Sequence, residues 1–210
     1  MQDHIPVTRN KLLSIYNSLS SFEQTILQLI SVMYEPASQE VIANCLYRFG
    51  IDFKDELTYE GRPLSALLQK YHDRNLVTWK YQCHHLLVEI ITRDARKSGS
   101  LEKMISAVRQ ELPATEEELH TLPHTSERLI REIRMGLYSD DISHANSFLI
   151  RYHEIHDASK SESPLVNIIN NPFDASWFKD LPIYLQLHSL HEISKHCLKN
   201  LDPFDSAMGY

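Results

Sequence analysis

The run from Leu64 to Ile91, LSALLQKYHDRNLVTWKYQCHHLLVEII, decides how the rest of the chain is read. Its first part places Leu64, Leu67, Leu68 and Tyr71 at three-and-four spacing, which is one face of a helix over residues 61–74. Asn75 follows as a left-handed stop, because Asn tolerates positive φ. Leu76 to Lys80 is then β-branched and aromatic and predicts a strand, which Tyr81 to Cys83 either pairs with or extends. From His84 the helical period returns through Leu87, Ile90, Ile91 and Ala95, ending at Gly99.

Upstream, Ser20 and Glu23 form a capping-box pattern, and Phe22, Ile26, Leu29, Ile30 and Met33 line one helical stripe up to Pro36. Ser38 caps a second helix with Val41, Ile42, Cys45, Leu46 and Phe49 on one face, and Gly50 stands at its C-terminal end. Residues 51–59 read as a polar connector, and Lys11–Ser18 as a short helix within an N-terminal lead-in, residues 1–19. Residues 20–99 therefore predict a winged-helix domain: three helices plus a small β wing, then a further helix. The helix pair before the wing is the helix-turn-helix element.

Residues 100–210 predict a mainly α-helical domain. Leu101–Glu111 carries Met104, Ile105 and Val108, and the Pro- and Glu-rich residues 112–126 read as a surface connector. Helices are expected over 126–137, from the Asp140/Asp141 cap to 156, and over 164–169, 175–179 and 182–199, with a polar mobile loop at 158–163. Asn171-Pro-Phe-Asp-Ala-Ser176 is echoed by Asp202-Pro-Phe-Asp-Ser-Ala207. Each places Pro at a first helical position behind an Asn or Asp cap, a pattern compatible with a tetratricopeptide-like array. The helix opened at Asp202 is left two turns long, so the chain is expected to be a truncated piece of a longer protein.

Composition bounds the function classes. The chain has 210 residues, 42% hydrophobic and 23% charged, which excludes a wholly disordered polymer. Five glycines argue against a β-rich fold with many tight turns. The net charge of −7 excludes a globally basic nucleic-acid coat. Three widely spaced cysteines, Cys45, Cys83 and Cys197, argue against a disulfide framework. With no signal peptide and no long uncharged apolar run, the expected location is cytoplasmic, with no membrane partner.

No phosphate loop, dinucleotide fingerprint, zinc-protease motif or nucleophile elbow is present, so no enzymatic activity and no cofactor are expected of this segment. Among 12 histidines, His188 and His191 share a helical face, as do His153 and His156, and two such side chains are half of a zinc site. Cys197 lies on the opposite side of the helix from His188. Cys83-His84-His85 sits at a strand-to-helix junction and reads as a buried thiol beside a capping histidine, with a nucleophilic thiol or an anion site at the helix start as the alternatives. The strongest functional signal is charge. Between Arg62 and Lys97 lie Arg62, Lys70, Arg74, Lys80, Arg93, Arg96 and Lys97 against three acids, a local sum of +4 in an otherwise acidic chain. On a winged helix this face meets phosphate, so these seven are the candidate nucleic-acid-binding residues.

Residues 82–88, Gln-Cys-His-His-Leu-Leu-Val, resemble the Met-His-Asp segment in the winged helix of STAND-class ATPases, with His84 in the place of its histidine. Cys83 replaces the Met and His85 the Asp, and nucleotide sensing does not carry over without the ATPase module. A broader resemblance is to the N-terminal region of large bacterial Swi/Snf-like helicases of the DEAD/H-box type. It rests on residues 19–30, on Leu64 to Val77, on Cys83-His84, and on Asn171-Pro-Phe-Asp with Trp177 and Leu181-Pro. That resemblance implies a non-catalytic segment far upstream of a motor.

The sequence reading is a non-catalytic regulatory or interaction module of a helicase-like parent. Its expected partner is another protein or the downstream domains of the same chain, with duplex DNA as an added partner. One alternative is a free-standing winged-helix transcriptional regulator, and another is a small histidine-based metal-binding protein.

Overall fold

The computed structural model describes residues 8–52, 63–114, 125–156 and 163–201. Among the described residues there are eleven helices and no β-strand. They are α1 (Arg9–Asn17), α2 (Ser21–Met33), α3 (Gln39–Phe49), α4 (Leu64–Asp73), α5 (Val88–Lys97), α6 (Leu101–Glu111), α7 (Thr125–Tyr138), α8 (Ile142–Ile155), α9 (Pro164–Ile169), α10 (Ala175–Asp180) and α11 (Ile183–Leu201). The chain divides into two compact units between Phe148 and Leu149.

Local chemistry sets the helix ends. Ser20 accepts from the Glu23 backbone N–H at 3.3 Å while the Glu23 carboxylate accepts from the Ser20 N–H at 3.0 Å, a complete capping box. Ser38 caps α3 through the Val41 N–H. Gly50 closes α3 at φ 105°, a left-handed position that suits glycine, and the Gly50 and Ile51 N–H groups both return to the Leu46 carbonyl. Asn75 takes the left-handed conformation expected of it, φ 58°.

In the first unit α2 is central and packs on α5 and α6, while α3 packs on α6. The core holds Ile26, Leu27, Leu29, Ile30 and Met33 of α2, with Ile42, Leu46, Leu68, Tyr71, Ile91, Met104 and Val108 from its neighbours.

The wing is absent among the described residues, which overturns the winged-helix and helix-turn-helix assignment of residues 20–99. The segment between α4 and α5 makes one isolated antiparallel bridge, Val77 to Cys83. The Tyr81 N–H turns back to the Thr78 carbonyl at 2.9 Å, and Tyr81 itself has φ 53°. That turn consumes the middle of the segment, so one bridged pair remains and no ladder propagates beyond it. The β-branched and aromatic run satisfies strand propensity but has no second pairing surface, and propensity alone does not make a strand. The helicase and STAND-class resemblances, which ran through this wing, lose their structural basis.

The second unit places α9 against α11. Asn171-Pro172 is a cis peptide, and α10 begins at Ala175 with Asp174 as its cap, so Pro172 is not the first helical residue as expected. Asp174 accepts from the Ser176 and Trp177 N–H groups instead. The echoing segment 202–207 lies outside the described residues, as does 158–162 of the expected mobile loop. At six residues each, α9 and α10 are short for the two helices of a repeat about 34 residues long.

Candidate functional site: an exposed apolar helix face

α11 follows Pro182, whose carbonyl accepts from the Leu185 and Gln186 N–H groups and starts the helix. The Gln186 side chain donates back to the Leu181 carbonyl at 2.7 Å and the Lys179 carbonyl at 3.2 Å, tying the helix to the end of α10. One face is packed, with Leu185 and Ser189 buried.

The other face is apolar and open. Ile183, Leu187, Leu190, Ser194 and Cys197 fall within an arc of about 80° at 3.6 residues per turn. Ile183 is 67% exposed and Leu187 62%; Leu190 is exposed as well, and Leu198 beside them reaches 67%. Ser194 and Cys197 are exposed on the same stripe. Tyr184 adds an exposed ring on the flank. Single exposed apolar residues are common on proteins, whereas a continuous stripe is the mark of a contact surface. The sequence carried the signal, since 183, 187, 190, 194 and 197 follow alternating spacings of four and three. The helix was expected there, but its second apolar face was not.

The seven basic residues are not brought together as one open face. Arg62 lies outside the described residues. Lys70 is ion-paired with Glu23, and that contact, with the Ser20 cap, outweighs burial and holds the Glu23 carboxyl below its ordinary range. Arg93 is buried. Arg96 donates to both oxygens of Asp140, at 3.2 and 2.9 Å. Arg74, Lys80 and Lys97 are exposed, as is Trp79, whose ring lies 3.8 Å from that of His72. Much of the positive charge that suggested a phosphate surface is thus held in internal contacts.

Histidines from the two expected pairs meet within the second unit. Burial lowers the His153 imidazole pKa below its ordinary value, and nearby His188 lowers it further. Among the described residues no group of three or more His, Cys, Asp or Glu side chains is placed to hold a metal ion. Cys83 is buried as expected, and burial pushes its thiol up to about 12; Cys45 is raised to about 12 in the same way. His84 stacks on His85 with ring centroids 4.5 Å apart and accepts from the Leu86 N–H, a local cap of the kind expected.

What the sequence reading missed entirely is the network of buried charges inside the first unit. α7 is buried from Arg131 to Tyr138, with Arg128 and Leu129 buried before it, and carries Arg128, Arg131 and Arg134 inward. Glu35 accepts from Arg128 at 3.3 Å and from Arg131. Arg131 also donates to Glu132 at 2.7 Å and to the Leu112 carbonyl at 2.7 Å. Arg109 reaches Glu132 at 3.0 Å, and the His144 Nε2 lies 2.8 Å from it. Burial alone raises the Glu132 carboxyl, but the His144 hydrogen bond and the Arg131 and Arg109 charges prevail and bring it down to about 2. A second cluster joins Arg134 to Glu89 at 2.8 Å, to Thr92 at 2.8 Å and to the Ser31 carbonyl at 3.0 Å, with the Tyr138 hydroxyl on Glu89 at 2.7 Å. Each of Glu35, Glu89 and Glu132 is matched by a guanidinium, so these groups join helices to one another.

Among the described residues no helix is long and apolar enough to cross a membrane. Comparison with protein-family models, curated proteins and solved structures found no match.

Proposed function

We propose that this chain is a non-catalytic protein-interaction module that docks a protein through the apolar face of α11. The observation that carries the reading is the exposed stripe of Ile183, Leu187, Leu190 and Leu198. Covering each such side chain contributes roughly 1.5–3 kcal/mol. Three or four of them, set on a helix whose opposite face is already packed, form the kind of central apolar anchor that interfaces use. The ion pairing of Lys70 and Arg96 and the burial of Arg93 support a protein partner over phosphate.

The test is the native elution of the chain in fresh extract of cells that express it, against a Leu187→Lys, Leu190→Lys variant. The reading predicts that the wild type elutes in a complex and that the variant elutes at the 24.5 kDa of a single chain. Elution of both at the single-chain mass contradicts it.

A further inference from the structure

Resting on that reading, we infer that the occupant of the α11 face is a second copy of the same chain, its α11 running antiparallel to the first. The stripe has coiled-coil spacing, with Ile183, Leu190 and Cys197 at one repeating position and Leu187 and Ser194 at the other. Its flanks are Tyr184, His191 and Leu198 on one side and Gln186 and Ile193 on the other. None carries a fixed charge. The only Asp, Glu, Lys or Arg residues from 183 to 198 are Glu192 and Lys195, which lie about 180° and 120° around the helix from the centre of the stripe.

Charge at the flanks is what chooses partner and orientation in paired helices. In a two-fold pair the same patch meets itself, so a charged flank opposes its own copy. This flank repels nothing identical to itself and offers no counter-charge to an acidic or basic partner. Size sets the direction. In an antiparallel pair Cys197 faces Leu187 and Ser194 faces Leu190, so a small side chain meets a large one in each layer and the layers interdigitate. A parallel pair sets Ser194 against Ser194 and Cys197 against Cys197, so its small side chains share layers at one end and leave them underfilled.

The experiment is sedimentation equilibrium of the purified full chain over roughly 1–100 μM, where mass action exposes a weak dimer. Wild type is expected to approach twice 24.5 kDa as concentration rises. Leu187→Lys with Leu190→Lys is expected to stay at 24.5 kDa with unchanged helical circular dichroism. Should that variant misfold, Ser194→Lys on the same exposed stripe serves in its place. Under mild oxidation the dimer is expected to form no Cys197 disulfide, because antiparallel helices hold the two thiols about 15 Å apart along the axis.

A wild type that stays at single-chain mass throughout overturns the inference. So does a dimer that the lysine variants leave intact, or a quantitative Cys197 cross-link. If the purified chain is monomeric yet elutes in a complex from extract, self-pairing falls while the interaction reading stands. Single-chain mass in both settings removes both.

Discussion

Arg131 and Glu35 are ion-paired across 96 positions of sequence, and the Arg131 side chain has no exposed surface. A guanidinium so placed has no water to fall back on. Its partners (Glu35, Glu132 and the Leu112 carbonyl) connect α7 to the second residue after α2 and to the C-terminal end of α6. The pairing therefore governs how the helices of the first unit are joined.

Breaking one side of such a pair leaves an uncompensated buried charge. Glu35→Gln is expected to destabilise the first unit by about 3–5 kcal/mol. Glu35→Leu combined with Arg128→Met and Arg131→Met is expected to cost less than Glu35→Gln alone, since Glu35 leaves together with both guanidiniums it accepts from, while Glu132 keeps Arg109. Urea unfolding midpoints check this, and a cost under about 1 kcal/mol for Glu35→Gln contradicts the buried pairing.

Acid stability should follow Glu132. Its carboxyl is depressed from 4.5 to about 2 in the folded chain, so it binds a proton more readily unfolded than folded. The stabilisation is fully present above the unfolded value and is lost as pH falls from about 4.5 toward about 2. Glu132→Gln is expected to lower stability at neutral pH and to flatten the pH dependence in that window. Thermal melts across the window check the sign, and an unchanged slope contradicts it.

Gly136 lies inside α7, where Gly-to-Ala ordinarily stabilises a helix by up to about 1 kcal/mol. Here the sign should reverse. An added Cβ meets the Ala145 backbone nitrogen at 2.7 Å and the Asp141 carbonyl oxygen at 2.9 Å, both backbone atoms. Gly136→Ala is expected to destabilise by about 1–3 kcal/mol. A stabilised variant in thermal denaturation contradicts the close packing of α7 on α8 at this point.

The three thiols should separate by reactivity. Cys45 and Cys83 are buried, with pKa values pushed to about 12, and Cys197 is exposed. One equivalent of thiol is expected to react rapidly with a disulfide reagent in native protein diluted below the range where the chain self-pairs, and three in denaturant. Two fast native equivalents contradict the packing around Cys45 or Cys83.

Helix ends were legible because their chemistry is local. Ser20 with Glu23, Ser38, Gly50 and Asn75 each act within four residues, and each stands as read. The wing was misread for the opposite reason. Whether Leu76 to Lys80 forms a strand depends on a pairing surface, and the turn at Thr78–Tyr81 leaves only the Val77–Cys83 bridge. The buried arginines were invisible because the carboxylates that match Arg128, Arg131 and Arg134 at Glu35 and Glu89 lie 45–96 positions upstream, and a helix rich in Arg and Glu reads as solvated until its packing is known. On α11 the histidines drew attention to His188 and His191, while the four-three spacing of Ile183, Leu187 and Leu190 went unread as a second apolar face.

The most direct test of the interaction reading uses the thiol already on the stripe. Cys197 alkylation is measured in intact cells that express the chain and again in dilute purified protein, with Cys45 and Cys83 as buried references. A covered α11 face predicts slow labelling of Cys197 in cells and fast labelling in dilute solution. Equal, fast labelling in both contradicts the claim that this face is where the chain meets another protein.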